Sequence, residues 1–367
     1  MSLALDVLGH PENAYPHVLV AGTNGKGSTC VYLEKILQNA GWSVGTTLSP
    51  HLSRFTERFR VNGTEADAGE LEMIRGGLEP VLAPVGLTYF EWCVVLAAVL
   101  FKRRKVDAGI FEVGLGGRYD ASNALDPGLA LITEISLDHT DYLGGTIAEI
   151  AGEKARIARP GKPVMTTADA EALQVIGDYA HAIGAELHVV RGTSGLPVSL
   201  EGRPQKLNAA LALEAARMMG ARPDDACIEH ALRTSYLPGR IELFGDRVVM
   251  DVAHNALSVL VLVEYLKSRG FDGVGVVGIL ADKDCLAMVS TLRQACSPLY
   301  IAPVRSPRSW GIQEMKRAEA LGGVVICESI TRAFSEALQT GRAVTVTGSF
   351  HTVSEVRESL ICRGWPS

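Results

Sequence analysis

The stretch Ala21-Gly22-Thr23-Asn24-Gly25-Lys26-Gly27-Ser28-Thr29 decides the fold of this 367-residue chain. An apolar run at residues 17–21 comes directly before the glycines and predicts a buried strand. Residues 29–41 carry apolar side chains at helical spacing and end on a glycine, which predicts a helix. A glycine-rich turn between a strand and a helix N-terminus brings backbone N–H groups close to an anionic phosphate. The stretch therefore predicts a phosphate-binding loop within an α/β domain.

The residue types of this loop suit the phosphates of ATP. The glycines let the backbone approach them closely, and Lys26 would neutralise the β- and γ-phosphates. The hydroxyls of Ser28 and Thr29 would face the magnesium ion and the phosphate oxygens. The spacing departs from the common GxxxxGK[ST] pattern because Gly27 separates the lysine from the serine. We assign residues 22–29 to nucleotide binding because the strand, the lysine, the hydroxyl residues and the helix follow one another in the order that a phosphate-binding loop requires.

Composition narrows the function classes. Hydrophobic residues make up 47% of the chain and charged residues 21%, which is ordinary for a globular protein. The net charge is −6, and the basic run at residues 102–105 is too short for a nucleic-acid surface. We interpret that run as the last turn of a helix, where positive charge is favourable, and expect no nucleic-acid partner.

Cysteine usage and hydropathy indicate a cytoplasmic protein. The seven cysteines are odd in number and show no CxxC spacing, so we predict reduced, buried thiols without a disulfide or zinc site. The first ten residues lack the features of a signal peptide. No apolar run reaches the ~20 residues that a spanning helix needs, so no membrane association is expected.

Apolar runs alternate with amphipathic stretches along the chain, which indicates strand–helix alternation and a mainly parallel sheet. Further strands are predicted near residues 108–113 and 129–135, each ending in glycines or polar residues, where open α/β sheets build their sites. The Pro-Gly pair of Leu237-Pro238-Gly239-Arg240 indicates a joint between domains. We predict an ATP-binding domain at 1–236 and a smaller Rossmann-like α/β domain at 237–367. One helix is predicted near 209–220 and a second from there to about 235. Later strands are predicted near 247–251, 274–280, 299–303, 324–327 and 343–347.

Three further residues are ambiguous when they are judged by residue type alone. Glu112 would be a strand-end carboxylate with or without a function, and His139 would serve equally well as a core histidine. Magnesium prefers oxygen ligands, so the histidine is not an obvious choice. Lys154 would be a surface lysine by default.

Eleven segments in order resemble the folylpolyglutamate synthase/dihydrofolate synthase family of the Mur ligase superfamily, over almost the whole chain. The most specific are the glycine loop and Glu112-Val113-Gly114-Leu115-Gly116-Gly117-Arg118. The segments are 21–29, 48–52, 56–61, 89–91, 112–123, 137–141, 153–154, 237–240, 251–255, 282–284 and 348–352.

The resemblance implies a role for individual residues. Lys26, Lys154 and His254 would be catalytic, and Lys154 would be carbamylated, which converts a cation into a carboxylate-like ligand. The implied magnesium ligands are Ser28, Ser49, Glu112, His139 and Lys154. Gln205 and Asn208 would lie beside adenine, while Arg240 would reach the phosphates and Asp251 the nucleotide-facing edge of the second domain. The implied substrate residues are Asp120, His254 and Ser349.

The implied reaction is amide formation driven by ATP and Mg²⁺ in a monomeric enzyme. A pteroate or folate carboxylate would attack the γ-phosphorus, and an amino acid, glutamate first of all, would then displace phosphate from the acyl phosphate. Water would destroy that intermediate, so we expect the two domains to close about residues 237–240.

Several departures from the family leave the carboxylate substrate open. The chain begins close to the glycine loop, the segment 162–205 is short, Ala256 replaces a usual proline, and Arg156 replaces a usual glycine. The same ligase chemistry on a non-folate carboxylate therefore remains an alternative. A nucleotide-dependent switch is a second one, because Asp282-Lys283-Asp284 superficially resembles a guanine-reading motif, although its spacing is wrong. An inactive paralogue is a third, which no residue favours.

Overall fold

Two compact units make up the protein, as seen in a computed structural model that describes residues 1–192, 198–362 and 364–365. The first comprises Met1–Ser199 and Pro204–Tyr236, and the second comprises Leu200–Arg203 and Leu237–Ser367. The division falls at the Pro-Gly joint noted in the sequence, and the short segment Leu200–Arg203 groups with the second unit.

The first unit is built on a mainly parallel sheet with strand order β4-β3-β2-β5-β1-β6-β7-β8 among the described residues. Strands β2 to β4 pair antiparallel at one edge, and the other strands run parallel. The strands are β1 (His17–Ala21), β2 (Val44–Thr47), β3 (Phe59–Val61), β4 (Thr64–Glu65), β5 (Ala108–Glu112), β6 (Leu129–Ile132), β7 (Val164–Thr166) and β8 (Leu187–Val189).

Helices cover this sheet, and the helix after the glycine loop packs against two further helices of the same unit. The helices are α1 (Ser2–Leu8), α2 (Lys26–Asn39), α3 (Ala68–Leu82), α4 (Tyr89–Arg104), α5 (Thr140–Leu143), α6 (Ile147–Ala155), α7 (Ala170–Ala182), α8 (Gln205–Met218) and α9 (Asp225–Thr234). Helix α2 lies between the sheet and the pair α8 and α9, so its side chains are buried nearly all round. This packing fixes the position of the loop that precedes α2.

The second unit has its own sheet, with strand order β13-β12-β11-β14-β10-β9, in which β9 is the only antiparallel strand among the described residues. Its strands are β9 (Glu242–Phe244), β10 (Val248–Met250), β11 (Gly273–Val277), β12 (Cys296–Ile301), β13 (Val324–Ile326) and β14 (Ala343–Thr347). Its helices are α10 (Ala256–Ser268), α11 (Cys285–Leu292), α12 (Ile312–Glu319), α13 (Ile330–Gln339) and α14 (Phe350–Cys362). No helix in the described part of the chain is long and apolar enough to cross a membrane.

The predicted fold class, α/β with mainly parallel sheets, is confirmed. Several boundaries were wrong: α2 begins at Lys26 because the loop turns directly into the helix, and β6 already ends at Ile132. The basic run does form the last turn of α4, as predicted. The cysteines are all free, but Cys227 is only half-buried and Cys362 is exposed, so not all seven are buried thiols.

A buried ion pair ties α2 to the antiparallel edge of the first sheet. Glu34 on α2 is fully buried, and Arg60 on β3 places Nη2 2.9 Å from its Oε2. The other carboxylate oxygen accepts a hydrogen bond from the Gly63 N–H at 3.2 Å. Burial raises the pKa of Glu34, and the Arg60 guanidinium opposes that rise. The pair therefore satisfies two charges that would be costly to bury alone.

We expect Glu34→Gln to lower the free energy of unfolding by roughly 3 kcal/mol, because it leaves the Arg60 charge without its partner. Urea unfolding measures this. Glu79→Gln, which removes the exposed Arg75–Glu79 pair (3.5 Å), is the matched control and should change stability by less than about 1 kcal/mol. Equal losses for the two variants would contradict the account.

Candidate active site

The glycine loop has no room for side chains at two positions. Gly22 has φ 147°, and a Cβ there would lie 1.8 Å from Thr133 Oγ1. Gly25 has φ 88°, and a Cβ there would lie 2.5 Å from Asn208 Oδ1. Both positions adopt a backbone conformation that favours glycine. The loop is therefore pressed against the end of β6 on one side and the start of α8 on the other.

Hydrogen bonds from the segment after β6 hold the loop in shape. Thr133 Oγ1 donates to the Asn24 carbonyl at 2.6 Å. The Thr23 N–H donates to the Glu134 carbonyl at 2.8 Å, and the Thr23 hydroxyl donates to the Ser136 carbonyl at 3.1 Å. β1 and β6 are parallel neighbours, so these segments leave the sheet at the same edge.

The N-terminus of α2 follows the loop and has Gly25 as its N-cap, without a side-chain cap. Its first-turn amides and the positive end of the helix dipole suit an anionic ligand. Ser28 is buried in the first turn, and Thr29 is fully buried with no partner for its hydroxyl within the described residues. The role of the Thr29 hydroxyl toward the magnesium ion and the phosphate oxygens stays a prediction.

Two lysines meet on one carbonyl oxygen of the loop. Lys26 Nζ donates to Gly22 O at 3.0 Å and to Thr23 O at 3.1 Å, and Lys154 Nζ donates to Gly22 O at 2.9 Å. Lys154 is only 5% exposed, so the default interpretation of a surface lysine was wrong. Burial, together with the nearby charge of Lys26, lowers the pKa of Lys154 to about 7. This places two lysine side chains, of which Lys154 loses its proton readily, behind a loop suited to phosphate.

Glu112 and Ser49 lie together at the same edge of the sheet. Glu112 ends β5, and its Oε2 accepts a hydrogen bond from the Ser49 N–H at 2.8 Å. The Glu112 N–H in turn donates to Thr47 Oγ1 at 3.1 Å, which ties β5 to β2. Ser49 Oγ is buried and has no hydrogen-bond partner among the residues that the structure describes. An unpartnered hydroxyl beside a carboxylate is a favourable start for a cation site.

His139 is the N-cap of the short helix α5 and has a left-handed conformation, with φ 51°. Its N–H donates to Asp138 Oδ1 at 2.9 Å, and its ring Nε2 lies 4.0 Å from the same oxygen. The left-handed backbone is uncommon for a residue other than glycine and is held here by that hydrogen bond. His139 therefore follows β6 in the same segment whose Glu134 and Ser136 carbonyls accept hydrogen bonds from Thr23 of the loop.

The proposed magnesium ligands fit a hard divalent cation by donor type. Ser28, Ser49 and Glu112 offer oxygen atoms, and magnesium completes its shell with water and phosphate oxygens. No group of three or more His, Cys, Asp or Glu residues in the described part of the chain is arranged to hold a metal by itself. The residues therefore suit an ion that shares its ligands with a nucleotide.

Gln205 and Asn208 open helix α8 and face the loop. Both are buried, and Asn208 Nδ2 donates to Gln205 Oε1 at 3.1 Å. The Asn208 side chain occupies the space that a Cβ at Gly25 would need. The structure thus brings Asn208 beside the glycine loop, and Gln205 is hydrogen-bonded to Asn208.

Asp120 organises the turn after β5. Its carboxylate accepts hydrogen bonds from the Leu115 N–H at 2.9 Å, the Ser122 N–H at 2.9 Å and the Ser122 hydroxyl at 2.5 Å. Burial raises its pKa, and these hydrogen bonds oppose the rise. The described contacts of Asp120 are therefore those of a residue that shapes the glycine-rich turn.

No role was predicted for Arg58 and His51, although they lie in the family-like segments 56–61 and 48–52. Arg58 is buried, donates from Nε to His51 Nδ1 at 2.8 Å, and lies over the Tyr89 ring at 5.5 Å. A small cavity beside Glu112 and Ser49 also has Arg58 in its wall. The sequence signal that could have identified this contact is an arginine inside a segment that resembles the family.

In the second unit, Asp251 fixes the backbone beside Arg240. Asp251 Oδ2 accepts a hydrogen bond from the Ile241 N–H at 2.9 Å, and Oδ1 accepts one from the Ala253 N–H at 2.8 Å. Ile241 has φ 48°, a conformation that a β-branched residue rarely adopts. Burial raises the pKa of Asp251, while Arg240 lowers it.

His254 follows Asp251 and has a defined hydrogen bond. Its Nδ1 lies 2.9 Å from the Val252 carbonyl, which only accepts, so Nδ1 carries the proton. The lone pair of a neutral His254 is therefore on Nε2. The His254 ring packs against the Phe350 ring at 5.8 Å, and the Arg240 guanidinium lies 5.4 Å from the centre of the same ring.

Ser349 precedes helix α14 and is buried. Its Oγ accepts a hydrogen bond from the Thr352 N–H at 3.2 Å and lies 2.9 Å from Thr352 Oγ1.

Near Lys283, the Asp284 carboxylate accepts a hydrogen bond from the Ala287 N–H at 3.0 Å and caps α11. The carboxylate that a guanine-reading motif would need is thus already used by the helix.

A strand–loop–helix with paired lysines, beside a carboxylate and a buried hydroxyl, is the arrangement expected of an enzyme that transfers the γ-phosphate of ATP. The family profile of the Mur ligase middle domain matches residues 20–195. The fold and the site therefore define an ATP-dependent ligase of the Mur ligase type.

Similar proteins identify the family. The Escherichia coli K12 dihydrofolate synthase/folylpolyglutamate synthase is 37% identical over 370 residues, covering 94% of this chain and 86% of that protein. A structure of E. coli FolC in complex with DHPP and ADP superposes with a TM-score of 0.90 at 36% identity, covering 99% of this chain and 92% of that one. A bifunctional folylpolyglutamate synthase/dihydrofolate synthase with Mn, AMPPNP and L-glutamate bound gives a TM-score of 0.90 at 35% identity, covering 98% and 93%. The chain belongs to the dihydrofolate synthase/folylpolyglutamate synthase family.

We expect Gly25→Ala to weaken ATP binding by about tenfold or more, because the new Cβ meets Asn208 and the backbone is strained. Isothermal titration calorimetry with ATP measures this. Gly76→Ala on the exposed side of α3, where a Cβ meets nothing within 4 Å, is the control and should bind normally. Normal ATP affinity in Gly25→Ala would show that the loop is not the nucleotide site.

Proposed function

We propose that this protein joins glutamate to a pteroate or folate carboxylate, with ATP converted to ADP and phosphate. The observation that carries the proposal is the meeting of Lys26 and Lys154 on the Gly22 carbonyl, at the start of a helix without a side-chain cap. The family relationship supports the choice of substrates, since relatives have been solved with DHPP and ADP and with L-glutamate.

In the first step, a carboxylate oxygen of the substrate attacks the γ-phosphorus of ATP, and ADP leaves. The amides of residues 22–29 hold the phosphates, and Lys26, which donates to the Gly22 and Thr23 carbonyls, offsets the negative charge that develops on the β–γ bridging oxygen. Ser28, Ser49, Glu112, His139 and a carbamylated Lys154 would hold magnesium, which would supply positive charge at the phosphate oxygens.

In the second step, the amine of the amino acid attacks the acyl carbon, and inorganic phosphate leaves. The attacking amine must first lose the extra proton of its ammonium form. The Nε2 lone pair of His254 is suited to accept that proton, because Nδ1–H is committed to the Val252 carbonyl. We assign Arg240 to the phosphates, Asp251 to holding the backbone beside Arg240, and Ser349 and Asp120 to the substrates.

We propose that the first unit binds ATP and the second the amino acid, and that the protein works as a cytoplasmic monomer without nucleic-acid or membrane partners. The free cysteines suit a reducing compartment. The short segment 162–205, Ala256 and Arg156 are departures from the family that leave a non-folate carboxylate open, and the assay below includes that alternative.

The test is phosphate release from ATP and Mg²⁺, with glutamate and each of dihydropteroate, a reduced folate and a panel of unrelated carboxylates. We expect release only when glutamate and a pteroate or folate are both present. Lys26→Met should lower turnover roughly a hundredfold or more, because the charge on the transferred phosphate is no longer offset. Lys35→Met, on the same helix, is the control.

Turnover on another acid, with none on pteroate or folate, would keep the ligase chemistry and reject the folate assignment. ATP binding without phosphate release on any pair of acid and amine would reject the ligase itself.

We further propose that Lys154 is carbamylated. A neutral lysine amine attacks carbon dioxide to form a carbamate, and one proton is released. Lys154 is buried, and its Nζ lies 2.9 Å from the Gly22 carbonyl, so a carbamate there would place carboxylate oxygens next to the phosphate loop. Such a group would serve as a ligand where an ammonium ion would not.

Carbamate formation should depend on pH in a defined direction. Burial and Lys26 lower the pKa of Lys154 to about 7, so the reactive neutral amine predominates above that pH and the ammonium ion below it. ¹³C NMR with labelled bicarbonate should show a carbamate signal that is stronger at about pH 8 than at about pH 6. Lys154→Arg should lack the signal. An equal signal in that variant, or none in the native protein at either pH, would refute carbamylation.

A further inference from the structure

Phe350 lies at the meeting point of two side chains that the proposed function uses. It is the first residue of α14 and is half-buried. The Arg240 guanidinium carbon lies 5.4 Å from the centre of its ring, and the His254 ring centre lies 5.8 Å away at an interplanar angle of 50°. One aromatic ring therefore contacts a cation and an imidazole at once.

The topology of the second sheet explains why these residues meet. β10 and β14 are parallel neighbours, with Met250 opposite Val346. The segments that follow these strands leave the sheet at the same edge. One of them carries His254 and the other carries Phe350.

Arg240 arrives from the joint and has a fixed backbone. The Gly239 N–H donates to Glu242 Oε2 at 2.9 Å, and the Ile241 N–H donates to Asp251 Oδ2 at 2.9 Å. Arg357 holds Glu242 in turn, with Nε 3.0 Å from both carboxylate oxygens. The backbone is thus held on both sides of Arg240, but its long side chain would lose much conformational entropy in any single orientation.

The Phe350 ring orients the Arg240 side chain, which the backbone hydrogen bonds do not do. Its negative face attracts the guanidinium, and a tilted ring packs well against imidazole. We propose that Phe350 is a positioning residue that holds Arg240 and His254 in a fixed relation, so that the phosphate-binding cation and the proton acceptor are oriented together. The inference rests on the proposed function, in which Arg240 serves ATP and His254 serves the amine.

Two substitutions distinguish a positioning role of the Phe350 ring from a contribution to packing alone. Phe350→Leu fills much of the volume but removes the ring, while Phe350→Tyr keeps it. We expect Phe350→Leu to raise the KM for both ATP and the amino acid roughly three- to tenfold, and Phe350→Tyr to stay near the native values. Phe334→Leu is the matched control, because Phe334 is a buried phenylalanine of α13 in the same unit. It should lower the melting temperature without changing either KM.

A second readout does not need turnover. In protein with ¹³C-labelled histidine, the ring signals of His254 should shift in Phe350→Leu, because the ring current of Phe350 is lost, and should stay near their native positions in Phe334→Leu. Unchanged His254 signals in Phe350→Leu, or unchanged KM values with a lower melting temperature, would overturn the inference. If the native protein forms no amide, the proposed function fails, and the ¹³C relaxation of the His254 ring then decides whether Phe350 orients it: the imidazole should be more mobile in Phe350→Leu than in the native protein and in Phe334→Leu.

Discussion

The absence of side chains at Gly22 and Gly25 is the constraint on which the rest of the first unit depends. Thr133 and Asn208 occupy the space that a Cβ would need, so the loop lies against β6 and α8 at once. That close fit brings the Gly22 carbonyl within reach of both Lys26 and Lys154. A loop displaced by an ångström would lose these contacts and the alignment of the α2 amides.

The electrostatics of the site follow from the same packing. Burial and the neighbouring charge of Lys26 disfavour an ammonium ion at Lys154 and lower its pKa to about 7. Lys26 therefore supplies the positive charge at the loop, which becomes favourable when phosphate oxygens arrive. The stability of α2, which includes the Glu34–Arg60 pair, is what holds the arrangement in place.

Much of the fold could be predicted from the sequence, because local signals agreed with it. The predicted strands 17–21 and 343–347 match β1 and β14, since each is a short apolar run with a glycine shortly after it. The strands β3 and β4 were not predicted, because three- and two-residue strands carry too little periodicity. The joint at residue 237 was visible in its Pro-Gly pair, but the grouping of Leu200–Arg203 with the second unit depends on tertiary contacts.

The candidate site was predictable only in part. The residue types of the glycine loop indicate phosphate binding by themselves. The burial of Lys154 could not be predicted from residue type, because it depends on where α6 packs. The contact of Phe350 with Arg240 and His254 joins it to residues about a hundred positions earlier in the chain, so no local pattern could predict it.

The central claim is that the loop and its lysines serve to make an acyl phosphate from the substrate carboxylate. The most direct measurement is the fate of ¹⁸O in a pteroate labelled at its carboxylate, followed by mass spectrometry of the released phosphate. The account predicts that one ¹⁸O atom passes from the carboxylate to inorganic phosphate in each turnover. Amide formation with unlabelled phosphate would contradict it.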